Sequence, residues 1–330
     1  MLREFLSAHK RASDAPIFAL TPDASTRRYF RIGWQRGSAV VALYPEPFDA
    51  ANQTFIEITN LFAAARLPVP EILCVDAMRG VIVQEDLGDR QLRDAMANAT
   101  DDDRENLIEQ AISIIARIQA VTDLAIANNT VASRLAFDTE KLTWEFDYFV
   151  EHYFGSLRRR PLSADQASEL REELITIAAE LSARPRVLCH RDFHASNLIV
   201  DPDGQLRIID HQDARMGPAT YDLVSLLLDR QHAPPSLAEV RERRLHLLDE
   251  RRALGLKHID PDEFASEFRL MSVQRCLKAA GTFSYQTAIG NRGATYAEFI
   301  LPMFMIALQA AEWLNRFPCL QKTLKAEIDA

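Results

Sequence analysis

The sequence predicts an α+β chain of two lobes: a small antiparallel sheet carrying one main helix over residues 1–88, then a larger, mostly helical lobe over residues 89–330. Short apolar runs with period-two alternation, bounded by turn residues, fill the segment before Gly88. After it the apolar residues recur over long stretches at helical spacing. One hairpin interrupts that helical texture, between residues 186 and 218.

In chain order, residues 17–20, 29–34, 39–44, 71–75 and 81–85 read as strands. Between the third and fourth, residues 51–66 are apolar at Phe55, Ile58, Phe62 and Ala65, the spacing of a helix with one buried face. The texture changes within residues 85–90, which sets the expected lobe boundary. Helical patterns follow at 102–121, 138–155 and 164–183. Residues 198–200 and 206–209 are strands, joined by the tight turn Asp201-Pro202-Asp203-Gly204. Helices resume at Tyr221 and continue through 259–284 and 294–315.

Composition removes several function classes. The chain has 330 residues, 48% hydrophobic and 26% charged, enough for a sizeable core. A formal net charge of -9 argues against the basic stripe that a nucleic-acid partner requires. Four cysteines spread far apart, Cys74, Cys189, Cys276 and Cys319, form neither a CxxC pair nor a disulfide framework. Residues 1–15 lack the apolar core of a signal peptide, and the apolar stretch 299–308 falls short of the roughly 20 residues a spanning helix needs. A cytoplasmic protein with no membrane partner is expected.

The chemistry lies in and around the hairpin. His190-Arg191-Asp192 precedes it, Asn197 stands five residues after the aspartate, and Asp210 closes the second strand. That is the H-R-D-x-x-x-x-N catalytic loop followed by a metal-binding aspartate, as found in kinases. The spacing has a physical reason. A loop lets Asp192 face an acceptor hydroxyl, while Asn197 and Asp210, at the two feet of one hairpin, return beside each other as hard-oxygen ligands for Mg2+. Four fixed letters arise by chance on the order of twice per thousand chains of this size.

These residues, with Asp23-Ala24-Ser25-Thr26-Arg27-Arg28-Tyr29-Phe30-Arg31, Gln84-Glu85-Asp86-Leu87-Gly88, Cys189 to His194, Ile209 to Ala214, Gly217-Pro218, Tyr221-Asp222-Leu223 and Gln274-Arg275 with Leu277-Lys278, resemble the aminoglycoside phosphotransferase superfamily. Within it the chain is similar to the bacterial anomeric kinases of N-acetylmuramate and N-acetylglucosamine. The resemblance implies a two-lobed, protein-kinase-like fold and an enzyme that uses ATP and Mg2+ on a small sugar acceptor in cell-wall sugar recycling.

Residue by residue, the resemblance implies that Asp192 is the catalytic base and that Asn197 and Asp210 hold the metal. Ser25 and Thr26 would cover the nucleotide phosphates, with Arg28 or Arg31 adding charge there. Gln84, Glu85 and Leu87 would form the hinge that reads adenine through backbone groups. Asp222 would brace the catalytic loop from behind. His194, Asp213 and Arg275 are the acceptor-side candidates. Gln274, Arg275 and Lys278 share one helical face, which is either the acceptor wall or a surface polar face. The aromatic run Trp144, Phe146, Tyr148, Phe149, Tyr153 and Phe154 is left between sugar subsite and core.

One departure stands out. No lysine occurs between Lys10 and Lys141, and Leu43-Tyr44 occupies the place on the third strand where such kinases usually carry one. The customary lysine–glutamate pair cannot form, a lack that the resembled sugar kinases tend to share. Competing readings are a kinase of another small alcohol, such as an aminoglycoside, choline or homoserine, and a catalytically inactive nucleotide-binding regulator.

Overall fold

A computed structural model describes residues 2–8, 16–20, 27–35, 37–290 and 293–330. The chain forms two compact units, Met1–Leu107 with Ala195–Asp213, and Ile108–His194 with Ala214–Ala330.

The first unit is built on an antiparallel sheet. Its elements are α1 (Leu2–Ala8), β1 (Ile17–Leu20), β2 (Arg28–Trp34), β3 (Gly37–Leu43), α2 (Thr54–Ala64), β4 (Ile72–Asp76), β5 (Val81–Glu85) and α3 (Leu92–Ala97). The strand order is β1-β2-β3-β5-β4. Period-two alternation divides the sheet into two faces. Ala39, Val41, Leu43, Val81 and Val83 pack with Phe5 and Leu6 of α1. Ala42 and Ile82, pointing the other way, pack with Phe55 of α2. Helix α1 is not evident from the sequence because its apolar residues Leu2, Phe5, Leu6 and Ala8 span barely two turns, too short a window for periodicity to stand out.

The second unit is helical. It contains α4 (Asp101–Ala120, which begins in the first unit), α5 (Thr122–Ala127), α6 (Val131–Arg134), α7 (Thr139–Val150) with a π-helical continuation Glu151–Leu157, and α8 (Ala164–Ser182). A strand β6 (Arg186–Cys189) leads to the hairpin β7 (Leu198–Val200) and β8 (Leu206–Ile208), which belongs to the first unit. The chain returns as β9 (Arg215–Pro218), then α9 (Tyr221–Leu228), α10 (Leu237–Ala253), α11 (Pro261–Ala288), α12 (Gly293–Tyr296), α13 (Ile300–Leu314) and α14 (Pro318–Ile328). The antiparallel pair β6–β9 had not been expected. The expected helix over 294–315 is divided into α12, a single tight turn and α13.

Helix α11 is the spine of this unit. Asp260 caps it by accepting from the backbone N–H groups of Asp262 and Glu263, and Pro261 pre-sets its first turn. It runs close to α7: a Cβ on Gly281 would lie 2.7 Å from Phe149 Cα, so only glycine admits this approach.

Stretches 101–127 and 297–314 reach the length and mean hydropathy of spanning helices, although the apolar run 299–308 alone had looked too short. Half of the first window and 39% of the second are buried within the protein.

Candidate active site

The loop after β6 carries the candidate base. Arg191 takes the left-handed backbone conformation, with φ of 86°, a costly state for a non-glycine residue that is characteristic of constrained functional loops. What holds it is Asp222, which is buried and accepts the backbone N–H groups of His190 at 2.7 Å and Arg191 at 3.0 Å. Asp222 is therefore more than a helix-start acid. Both carboxylate oxygens fix the loop that presents Asp192, and each is a charge-assisted bond in a buried setting.

Asp192 retains 24% side-chain exposure and lies 3.6 Å from the Arg191 guanidinium. Burial works to raise its pKa, but the charges of Lys278, Arg191, Arg275 and His194 overcome that and hold the carboxyl well below the usual carboxylate range. An ionised carboxylate is the form that can accept a hydroxyl proton. His194 lies on the same loop, its N–H donating to the Asp192 carbonyl at 3.0 Å, and burial depresses its imidazole pKa.

Helix α11 supplies the surrounding charge. Gln274 and Arg275 are buried, which rules out the surface reading of that face. Arg275 donates to the Tyr221 hydroxyl at 3.0 Å and lies 4.9 Å over the same ring. Gln274 donates to Glu145 of α7 at 2.6 Å, and Lys141, one turn earlier, approaches Glu145 at 3.5 Å. Asp192, His194 and Arg275, all expected on sequence grounds, thus share one electrostatic environment within the second unit.

The other half of the motif lies in the first unit. Asn197 and Asp210 come together as the hairpin predicts, with Nδ2 and Oδ2 3.5 Å apart. The hairpin is secured by Asp201, whose Oδ1 accepts from Asp203 and Gln205, and by Ile208 N–H donating to the Pro68 carbonyl. Asp210 also takes a left-handed φ, 61°, and accepts from Gln212 at 2.8 Å. One amide and one half-exposed carboxylate fit a hard cation that takes most of its ligands from phosphate and water. Among the described residues no cluster of three or more His, Cys, Asp or Glu side chains competes for a softer metal. Asp213 sits half-buried at the end of the same turn.

On the sheet, Ser25 and Thr26 lie outside the described residues. Arg28 is exposed, its guanidinium 5.9 Å from the Phe30 ring. The alternative cation, Arg31, is committed to acids: it donates to Asp86 at 2.7 and 3.0 Å and to Asp89 at 2.7 Å twice. Arg27, to which the motif alone assigns no role, is the arginine the structure brings to Asp210, at 3.9 Å. Glu85 is pinned by Arg207 at 2.7 Å, and Leu87 is buried. Gln84 shares the sheet face of Ile82, and its Oε1 is buried without a hydrogen-bond partner. An orphaned acceptor beside the expected hinge suits a ligand that brings its own donor.

Sequence reasoning also missed His211. It is fully buried between Phe55 and Phe62 of α2, with ring centroids at 5.1 and 5.7 Å, and its Nε2 lies 2.7 Å from Thr59 Oγ1. Its adjacency to Asp210 was the available signal.

Residues 18–277 match the phosphotransferase enzyme family. An N-acetylmuramate/N-acetylglucosamine kinase of Neisseria meningitidis is 30% identical over 86% of this chain and 82% of its own length. Another, from Pseudomonas putida, is 32% identical over 81% of this chain and 76% of its own. Among solved structures, a microcompartment-associated aminopropanol kinase aligns with a TM-score of 0.64 at 15% identity, covering 95% of this chain and 97% of that one. A choline kinase from Streptococcus pneumoniae aligns at 0.60 and 12%, covering 94% and 98%. Those two likenesses establish the protein-kinase-like α+β fold.

Proposed function

The chain belongs to the phosphotransferase enzyme family, and we propose that it transfers the terminal phosphoryl group of ATP to the anomeric hydroxyl of N-acetylmuramate, N-acetylglucosamine or both. The observation that carries the reading is a cation-surrounded Asp192, held by Asp222 and followed five residues later by Asn197. Relatives named for these two amino sugars, about 30% identical over most of the chain, support the acceptor class. Solved neighbours bound to ADP and GDP support nucleotide use by the fold.

In this reading Asp192 orients the acceptor hydroxyl and receives its proton as the oxygen attacks the γ-phosphorus, and the bond from that phosphorus to the β–γ bridging oxygen breaks to release ADP. Asn197 and Asp210 would hold magnesium, which when bound would supply charge neutralisation at the phosphates. Residues 1–88 cover the nucleotide, with Ser25, Thr26 and an arginine (Arg28 on the sequence argument, Arg27 on the geometry) at the phosphates and Gln84 to Leu87 at adenine. Residues 89–330 carry the catalytic loop and the acceptor wall of His194, Asp213 and Arg275. The work is positioning and electrostatics, which suits a site whose base is fixed in advance. We place the reaction in the cytoplasm, in the salvage of peptidoglycan sugars.

The test is incubation with ATP, magnesium and a panel of N-acetylmuramate, N-acetylglucosamine, glucose, an aminoglycoside and choline, followed by phosphorus NMR. A sugar 1-phosphate from an N-acetylated amino sugar is expected, and product from choline or the aminoglycoside alone would overturn the acceptor. Asp210→Ala is expected to abolish magnesium-dependent nucleotide binding with the fold intact; calorimetric titration of nucleotide with and without magnesium checks it.

A further inference from the structure

Four of the six aromatics in the run from Trp144 to Phe154 are core: Phe146, Phe149, Tyr153 and Phe154 are buried. Trp144 is not, being 53% exposed. It forms one end of an aromatic ledge that continues through Tyr148 at 5.5 Å, His152 at 4.2 Å from Tyr148, and Tyr285 at 5.0 Å from His152. Over the Trp144 ring, 3.8 Å from its centroid, sits the Lys141 ammonium. An ammonium has three donors. One points to Glu145 Oε1 at 3.5 Å and another faces the ring, which leaves Lys141, 27% exposed, able to bind a further acceptor.

This ledge is joined to the candidate base through helix α11. Glu145 binds Gln274, Gln274 adjoins Arg275, and Arg275 and Lys278 act on Asp192. Pairwise electrostatic interactions link the cations Lys141, Arg191, Arg215, Arg275 and Lys278 and the acids Glu145, Asp192 and Asp222 into one network, five against three, while Asp229 is paired with Arg230 at 3.6 Å. A local surplus of positive charge in a chain of net charge -9 is selective placement. It disfavours a cationic acceptor and suits an anionic one.

Resting on the proposed amino-sugar acceptor, we propose that Lys141 and Trp144 form the edge of the acceptor subsite that recognises a carboxylate on the sugar, so that the enzyme favours N-acetylmuramate over N-acetylglucosamine. The two sugars differ by the lactyl ether, whose carboxylate the Lys141 ammonium binds while the apolar C–H face of the sugar lies along the edge of the ledge formed by Trp144 and Tyr148. Partial burial of Lys141 lowers the screening of that contact. Lys141 and Trp144 set specificity; Asp192 keeps the chemistry.

The experiment compares kcat/KM for N-acetylmuramate, its neutral methyl ester and N-acetylglucosamine in the wild-type protein, Lys141→Met, Lys141→Arg and Trp144→Leu. A charge-assisted hydrogen bond predicts that Lys141→Met lowers the muramate-to-glucosamine ratio about 10- to 100-fold, that Lys141→Arg restores most of it, and that Trp144→Leu raises KM for both sugars. Esterification is expected to cost the wild type the same factor and to cost Lys141→Met nothing, the closed cycle that identifies the pair. A wild type indifferent to the ester, or a ratio unmoved in Lys141→Met, overturns this subsite while the kinase reading stands. A wild type that phosphorylates neither amino sugar overturns the acceptor reading itself. The ester arm needs no variant to fold.

Discussion

Asp192 and Asp210 are the same carboxylate held in two different ways. Asp192, in the second unit, is 24% exposed, follows a strained Arg191 pinned by Asp222, and is surrounded by Lys278, Arg191 and Arg275. Asp210, in the first unit, is 45% exposed, carries the strain in its own backbone, and meets the Gln212 amide and, at 3.9 Å, Arg27. The contrast separates two jobs. A general base gains from charge set in advance by the fold, whereas a ligand for a nucleotide-bridged ion gains from an open position where few fixed cations compete with the metal.

The largest expected effect comes from removing the base. Asp192→Asn keeps the shape and the loop bonds, and turnover is expected to fall by about 10² to 10⁴, the range for a general base. Steady-state kinetics on a variant with an unchanged melting temperature checks it, and near-normal turnover would break the assignment. Next comes the brace. Asp222→Ala leaves two backbone N–H groups buried beside a left-handed Arg191, a loss of about 2–5 kcal/mol in stability. A lowered midpoint in urea, with kcat falling further than KM rises, would show that the loop and not the helix start is what Asp222 serves.

Lys278 sharpens the comparison through pH. Its charge is the largest of those that oppose burial at Asp192, so its loss lets burial raise the Asp192 pKa. The wild-type base is ionised at and below the ordinary carboxylate value of about 3.9, so it sets no acid limb at neutral pH. Lys278→Met is expected to move the acid limb of kcat/KM to higher pH, with activity regained as pH rises through the new value. Identical profiles for the two proteins would mean that Lys278 serves packing alone.

How much of this was legible depended on which interactions are local. The strands at 17–20 and 81–85 and the hairpin with its Asp201 turn were readable because alternation and turn chemistry are written within a few residues. Asn197 beside Asp210 followed from the hairpin itself. Gln274 and Arg275 could be put on one helical face but not inward or outward. A polar face is buried only when distant partners satisfy it, and here these are Glu145 and Tyr221, 129 and 54 residues away. Likewise, which arginine of Arg27, Arg28 and Arg31 meets Asp210 is a matter of side-chain direction, and Arg31 was withdrawn by Asp86 and Asp89, more than fifty residues on.

The smallest effect concerns the missing third-strand lysine. In its absence α2 is tied to the Asp210 turn by a buried bond that carries no lysine. Thr59 spends its only proton on the Phe55 carbonyl at 2.6 Å, so at 2.7 Å it must accept from His211, which fixes Nε2 as the protonated nitrogen of that ring. Thr59→Val keeps the volume and strands that N–H between two phenylalanine rings, at a cost of about 1–2 kcal/mol. If the bond positions the metal-binding turn, KM for magnesium-nucleotide rises a few-fold while KM for the sugar does not, and Thr59→Ser restores it. A fall in melting temperature with both KM values unmoved would make Thr59 and His211 packing residues, and the Asp210 turn would then be held by its own hairpin.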